Sequence, residues 1–147
     1  MTSKVILVVE DNASDEKLTL LAFKNCGVLN EVVVKRDGAA ALEYLHGPSP
    51  GSSTLAPLSA IVLLDLKLPK VDGLEVLRAI RHDERTKLLP VIVLTASKQD
   101  EDVTRSYALG ANAYVQKPVE FKQFAEAART LGLFWLLLNE SPPEKRS

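Results

Sequence analysis

Short, unbroken apolar runs recur along this chain, separated by longer stretches in which apolar residues fall three and four positions apart. The runs are Val5–Val9 and residues 60–64, 91–94 and 113–115. Each is too short for a helix and too continuously apolar for a strand with one wet face, so each predicts a strand buried in a parallel sheet. A weaker run, Glu31–Lys35, sets three valines between charged ends and reads as an edge strand. Helical spacing fills the intervals, at residues 14–25, 38–46, 72–82, 100–109 and 120–138. Strand and helix alternate throughout. The pattern therefore predicts an α/β fold, a doubly wound, five-stranded parallel sheet with crossover helices on both faces.

Residues 47–57 hold three prolines, two glycines and three serines, which predicts a surface loop before the third strand. Residues 139–147 form a polar, proline-containing tail expected to fray, so the folded unit is expected over residues 1–138. A chain of 147 residues, 46% hydrophobic and 25% charged, suits one domain with its own core and leaves no room for a second. The net charge of −1 gives no global field for coating nucleic acid or an acidic membrane. The single cysteine, Cys26, cannot form an internal disulfide and sits in an apolar stretch, as a buried, inert thiol does. With no signal-peptide pattern after Met1 and no apolar stretch of membrane-spanning length, the expectation is a soluble, cytoplasmic protein with no membrane partner.

In open parallel sheets, ligands bind beyond the carboxyl ends of the strands, so the residues just after each apolar run carry the functional information. Here they are polar. The first strand ends in Glu10 and Asp11, the third in Asp65, the fourth in Thr95 with Ser97 close behind, and the last runs into Lys117 and Pro118. One crevice thus receives three carboxylates, a hydroxyl and an ammonium. Clustered carboxylates repel one another in a partly desolvated cleft and call for a cation or for protons. Oxygen-only ligation points to Mg2+ or Mn2+, either of which keeps positions open for phosphate oxygens. Asp65, flanked by Leu64 and Leu66, suits a carboxylate nucleophile that forms an acyl phosphate, with Lys117 and Thr95 binding the phosphoryl oxygens. Taken singly, an acidic pair after a strand is usually a helix start, and a lone aspartate a turn residue. Four strands delivering complementary groups to one end of the sheet favour the chemical reading.

These residues resemble the receiver domain of bacterial response regulators from Val5 to about Leu138. Glu10-Asp11 matches the family's acidic pair, and Asp65-Leu66-Lys67-Leu68-Pro69-Lys70-Val71-Asp72-Gly73 its phosphoacceptor motif, with Leu68 where methionine is common. Thr95-Ala96 matches the hydroxyl residue followed by a small one, Lys117-Pro118 the lysine with its cis proline, and Tyr114 the switch aromatic. The resemblance implies a flavodoxin-like strand order 2-1-3-4-5. It also implies a metal shell of Glu10, Asp11 and Asp65 side chains, with Glu10 acting through water, and of the Lys67 backbone carbonyl. Lys67 and Ser97 occupy positions that tune acyl-phosphate lifetime in the family. The implied mechanism is two-state: phosphate on Asp65 draws the Thr95 hydroxyl inward, Tyr114 turns into the vacated space, and partner contacts change.

A narrower resemblance is to the small stand-alone regulators paired with bacterial phytochromes, carried by the Val-Glu-Asp-Asn-Ala-Ser-Asp start, the loop before the third strand and the Phe134-Trp135-Leu136-Leu137-Leu138-Asn139 ending. It implies a sensor histidine kinase, a bacteriophytochrome, as partner, and no enzymatic role beyond phosphorylation and dephosphorylation of Asp65 itself. The last predicted helix is apolar over too wide an arc for one core, so Leu131, Phe134, Trp135 and Leu138 are expected to form a homodimer or partner surface.

Three rival readings fit less well. A haloacid-dehalogenase-type phosphatase needs a second acid two positions after the nucleophile, where this chain has Lys67. A flavodoxin-like electron carrier needs a hydroxyl- and glycine-rich loop after the first strand, where Glu10-Asp11-Asn12 repels a phosphate. A degenerate receiver, serving only as an interaction module, lacks residues that this chain retains. His46 and His82 have no ligand-spaced companions and read as ordinary helix-end residues. No segment is left over for a helix-turn-helix, so direct nucleic-acid binding is not expected.

Overall fold

The computed structural model describes residues 5–25, 30–47, 61–96 and 99–117. Within them the chain runs β1 (Val5–Val9), α1 (Ala13–Asn25), β2 (Glu31–Lys35), α2 (Gly38–His46), β3 (Ile61–Leu64), α3 (Gly73–His82), β4 (Val91–Thr95), α4 (Asp100–Ala108) and β5 (Ala113–Gln116). The strands form one sheet in the order β2-β1-β3-β4-β5, every neighbouring pair parallel. This is the flavodoxin-like order expected from the sequence.

Burial explains why these segments are strands. β1, β3 and β4 are buried along their whole length, because side chains of both parities meet a packed layer. Leu7, Val9, Val62, Leu64, Val91 and Val93 pack on one face against Ala41 and Leu45 of α2 and Leu74, Val76, Leu77 and Ile80 of α3. Ile6, Val8, Ile61, Leu63, Ile92 and Leu94 pack on the other with Ala22 and Phe23 of α1. The described helices therefore lie on both faces of the sheet. β2 is the half-buried edge strand that its valines between charges predicted. β5 is the opposite edge, as the expected order places it, but it is less buried than its apolar run predicted, with only Val115 buried. An alanine-tyrosine-valine run suits an edge as well as an interior, so apolarity alone did not separate the two.

The helix starts place the loops that carry chemistry. Asp37 caps α2 by accepting from Ala40 N at 2.7 Å. Gly73 opens α3 with its N–H on Leu66 O at 2.9 Å, and a Cβ there would lie 2.2 Å from Asp65 O. Only a residue without a side chain lets α3 begin this close to the end of β3. None of the described helices is long and apolar enough to cross a membrane. The expected fifth helix, the loop segment 48–57, the tail, Cys26, Ser97, Pro118, Leu131, Phe134, Trp135 and Leu138 lie outside the described residues.

Candidate phosphoacceptor and metal site

The chain steps outward from β1 to β2 and then returns past β1 to β3, which makes the carboxyl ends of β1 and β3 the switch point of the sheet. Val9 pairs with Leu64, so the residues that follow, Glu10 and Asp65, emerge side by side. Both backbones are anchored there: Glu10 N donates to Lys35 O at 2.9 Å and Asp65 N to Val9 O at 3.1 Å. Glu10 and Asp65 are buried, whereas Asp11 is exposed at the mouth. Carboxylate oxygens of the three lie within 4.8 Å of one another.

Lys117 follows β5 and reaches across β4 to this cluster. Its backbone N–H donates to Thr95 O at 2.8 Å, and its ammonium lies 2.6 Å from Glu10 Oε1 and 2.7 Å from Asp65 Oδ2. Asp65 Oδ1 accepts from Lys67 N at 3.1 Å, so the carboxylate is held at both oxygens. The Lys67 side chain itself is exposed. Burial, the largest influence, pushes the Glu10 carboxyl up to about 7; the Asp65 charge adds to the rise and Lys117 opposes it. Burial acts to lower the Lys117 pKa, but hydrogen bonds to Asp15, Asp65 and Glu10 outweigh it and hold the ammonium above its ordinary range. A carboxyl on the edge of protonation beside two other acids is the electrostatic mark of a site short of positive charge.

Thr95 ends β4, buried, opposite Gln116 in the β4–β5 register. Tyr114, two residues before Gln116, pairs with Val93 and packs against the core on the same sheet face as Val91 and Val93. Strand alternation puts Thr95 on that face too, so the hydroxyl and the ring named as a switch share one side of the sheet. The structure thus brings together Glu10, Asp11, Asp65, Lys117 and Thr95, with Lys67 beside them and Tyr114 further along the Thr95 face. His46 and His82 end α2 and α3, bonded to Thr86 Oγ1 at 3.0 Å and Arg78 O at 2.7 Å, as helix-end residues do.

One member escaped the sequence reading. Asp15, in the first turn of α1, lies 2.8 Å from Lys117 Nζ through Oδ2. An acid there reads as a complement to the helix dipole, and spacing does not show which way it points.

The donor set fits a hard divalent cation. Three carboxylates in reach of one another, one of them exposed, match the oxygen ligation and open face that Mg2+ or Mn2+ adopts. The side chains of Glu10, Asp11 and Asp65 are the groups that would hold it.

Comparison with known proteins agrees. Residues 6–129 match the response regulator receiver domain. The chain is 41% identical over 138 residues to the probable methanogenesis regulatory protein FilR2 of Methanothrix harundinacea, covering 94% of this chain and 87% of that one. It is similar to the solved bacteriophytochrome response regulator RtBRR, at TM-score 0.80 and 50% identity, with 97% and 86% of the two chains covered. The response regulator Rcp1 of Synechocystis is 38% identical, covering 90% of this chain and 89% of that one; its Mn2+-bound structure superimposes at TM-score 0.74 and 36% identity, over 96% and 99% of the chains. With the family match spanning most of the sequence and the acidic crevice lying where the fold places its ligands, this chain belongs to the response regulator receiver family.

Proposed function

We propose that the chain is a phosphoryl-accepting switch, in which Asp65 takes a phosphoryl group from a phosphohistidine of a sensor histidine kinase. The observation that carries this reading is the Lys117 ammonium 2.7 Å from an Asp65 carboxylate buried among two further acids at the switch point of the sheet. A carboxylate oxygen of Asp65 attacks phosphorus, an O–P bond forms as the P–N bond breaks, and the imidazole leaves with the bond pair. A divalent cation on Glu10, Asp11 and Asp65 supplies charge neutralisation for the crowded anions. Lys117 donates to the transferred phosphoryl oxygens, and the Thr95 hydroxyl follows. Movement of Thr95 opens the shared face to Tyr114, and this changes the partner surface.

Asp65 is the only phosphoryl acceptor in this reading, and the chain turns over no separate substrate. The likeness to RtBRR supports a bacteriophytochrome as the kinase, in the cytoplasm where such a kinase domain works. The apolar ending, with Leu131, Phe134, Trp135 and Leu138, supports a homodimer and relay through protein contacts rather than nucleic acid.

Incubation with acetyl phosphate and Mg2+, followed by intact-mass measurement, tests the core of the reading. The wild type is expected to gain one phosphoryl group, and Asp65→Asn none. Absence of a gain in the wild type, with a control receiver phosphorylated alongside, would leave an interaction module instead. The same samples on a sizing column report the dimer, which Phe134→Ala with Trp135→Ala is expected to weaken; an unchanged elution volume removes that surface.

A further inference from the structure

The Lys117 ammonium has three N–H bonds, and three carboxylates take them: Glu10 at 2.6 Å, Asp65 at 2.7 Å and Asp15 at 2.8 Å. Two of these acids belong to the cluster that fits a cation, and Asp15 does not. At the third position of a helix, which Asp15 holds, a capping-box side chain reaches back to the N–H of the capping residue. In α1 that N–H, from Asn12, lies 3.2 Å from Glu10 Oε2, and Asn12 Oδ1 caps the helix by accepting from Asp15 N at 2.9 Å. The capping work is done without the Asp15 carboxylate, which turns instead to a lysine 102 residues away.

We propose that Asp15 is a positioning residue for phosphoryl transfer, its carboxylate holding the Lys117 ammonium over Asp65 while Glu10 and Asp65 turn from that ammonium to a divalent cation. The proposal rests on the receiver reading above. With Glu10 and Asp65 engaged by a cation, a lysine on a flexible four-carbon stem would lose two of the three contacts that fix its rotamer. Asp15, outside the cation's ligand set, is the partner that stays. It keeps the donor where an incoming phosphoryl oxygen arrives, so the ordering of Lys117 is complete before the chemical step. Asp15 touches neither the acceptor carboxylate nor the phosphoryl group, and acts through Lys117.

The test uses the full chain with acetyl phosphate as donor, comparing wild type with Asp15→Ala, Asp15→Asn and Asp15→Glu. Acyl-phosphate formation is followed against both acetyl phosphate and Mg2+. Loss of one charge-assisted hydrogen bond predicts a rate about tenfold lower for Asp15→Ala and Asp15→Asn at saturating Mg2+. The Mg2+ needed for half-saturation is expected to stay within about twofold of wild type, and Asp15→Glu to recover part of the rate, a pattern that a purely structural role does not produce. Should Asp15→Ala fail to fold, the nearly isosteric Asp15→Asn decides. The proposal is overturned by an Asp15→Asn rate within about twofold of wild type, by a loss that disappears at higher Mg2+, or by Asp15→Glu as slow as Asp15→Asn. A wild type that takes no phosphoryl group overturns the receiver reading itself, which the Asp65→Asn comparison separates from a failure of Asp15.

Discussion

At the amino end of the sheet a half-buried cation is surrounded by neutral oxygens; at the carboxyl end a buried cation is surrounded by carboxylates. Arg81, near the end of α3, donates to Gly110 O, Lys87 O, Leu89 O and Asn112 Oδ1 at 2.7 to 3.0 Å. Asn112 Oδ1 also accepts from Val91 N at 2.8 Å, so one guanidinium ties α3 to the segments that enter β4 and β5. Lys117, at the other end, meets three acids while a fourth, Asp11, stands in reach of two of them. The first network is closed: its donors meet oxygens already in place, and a ligand would add nothing. The second carries more negative than positive charge and is completed by a cation or a proton. One sheet holds both because the described strand cores between them are apolar, which leaves these charged groups to the two rims.

The largest effect expected from breaking this contrast lies at the amino end. Arg81→Ala leaves the carbonyls of Leu89 and Gly110 and the Asn112 amide short of donors, a loss of about 3 kcal/mol or more in urea unfolding. Arg81→Lys is expected to recover little, since one ammonium does not reproduce a planar fork. In both variants Mg2+ is expected to raise the unfolding midpoint by as much as in the wild type, because the carboxyl rim is untouched. A lost Mg2+ response would mean that the two ends are coupled.

A smaller effect, with a sign of its own, lies at the carboxyl end. The Glu10 pKa is raised from 4.5 to about 7, chiefly by burial, so between these values the folded chain keeps a proton that the unfolded chain has released. Without metal, the Glu10 contribution to stability therefore falls as pH rises from 4.5 to about 7 and stays low above it. Glu10→Gln, which has no proton to lose, is expected to flatten this slope and to raise metal-free stability at pH 8 by about 1 kcal/mol. The same change is expected to weaken Mg2+ binding and so to shrink any stabilisation by Mg2+. Thermal unfolding from pH 4 to 8, with Mg2+ and with chelator, measures both. A slope that survives Glu10→Gln would place the excess charge elsewhere.

What was legible in the sequence divides along the same line. The buried strands announced themselves through unbroken apolar runs, and their polar ends located Glu10, Asp11, Asp65, Thr95 and Lys117, because a parallel sheet collects whatever follows its strands. β5 was found by the same rule, but its run did not show that it is half-exposed, since Ala113, Tyr114 and Val115 fit an edge as readily as an interior. Asp15 was hidden for a different reason. Its place in the chain gives it a bland duty at the start of α1, and only the path of Asn12 N to Glu10 shows that it is released from that duty. Arg81 and Asn112 were silent altogether, because an arginine on an amphipathic helix and an asparagine in a short turn are ordinary until the fold brings them together.

The smallest expected effect returns to the amino end, where its sign opposes that of Glu10. His46 Nε2 lies 3.0 Å from Thr86 Oγ1, and Thr86 donates its own hydroxyl hydrogen to Ile80 O at 2.8 Å. The imidazole is therefore the donor, carrying its proton on Nε2 in the neutral form. Burial lowers the His46 pKa below 6.5; Asp83, 3.8 Å away, opposes the shift and Arg85 adds to it. Asp83 does not titrate in this range, because side-chain and backbone hydrogen bonds from Arg85 hold its carboxyl well below the usual carboxylate range. As pH falls through 6.5, the unfolded chain takes up a proton at His46 before the folded chain does, so stability is lost toward acid and is present above 6.5. His46→Gln keeps a donor for Thr86 and removes the titration. It is expected to abolish the acid-side loss while leaving the Glu10 slope and the Mg2+ response intact, and the double variant with Glu10→Gln should be nearly flat across both windows. If His46→Gln instead alters the Glu10 slope, the closed rim and the open rim share a charge balance through the sheet.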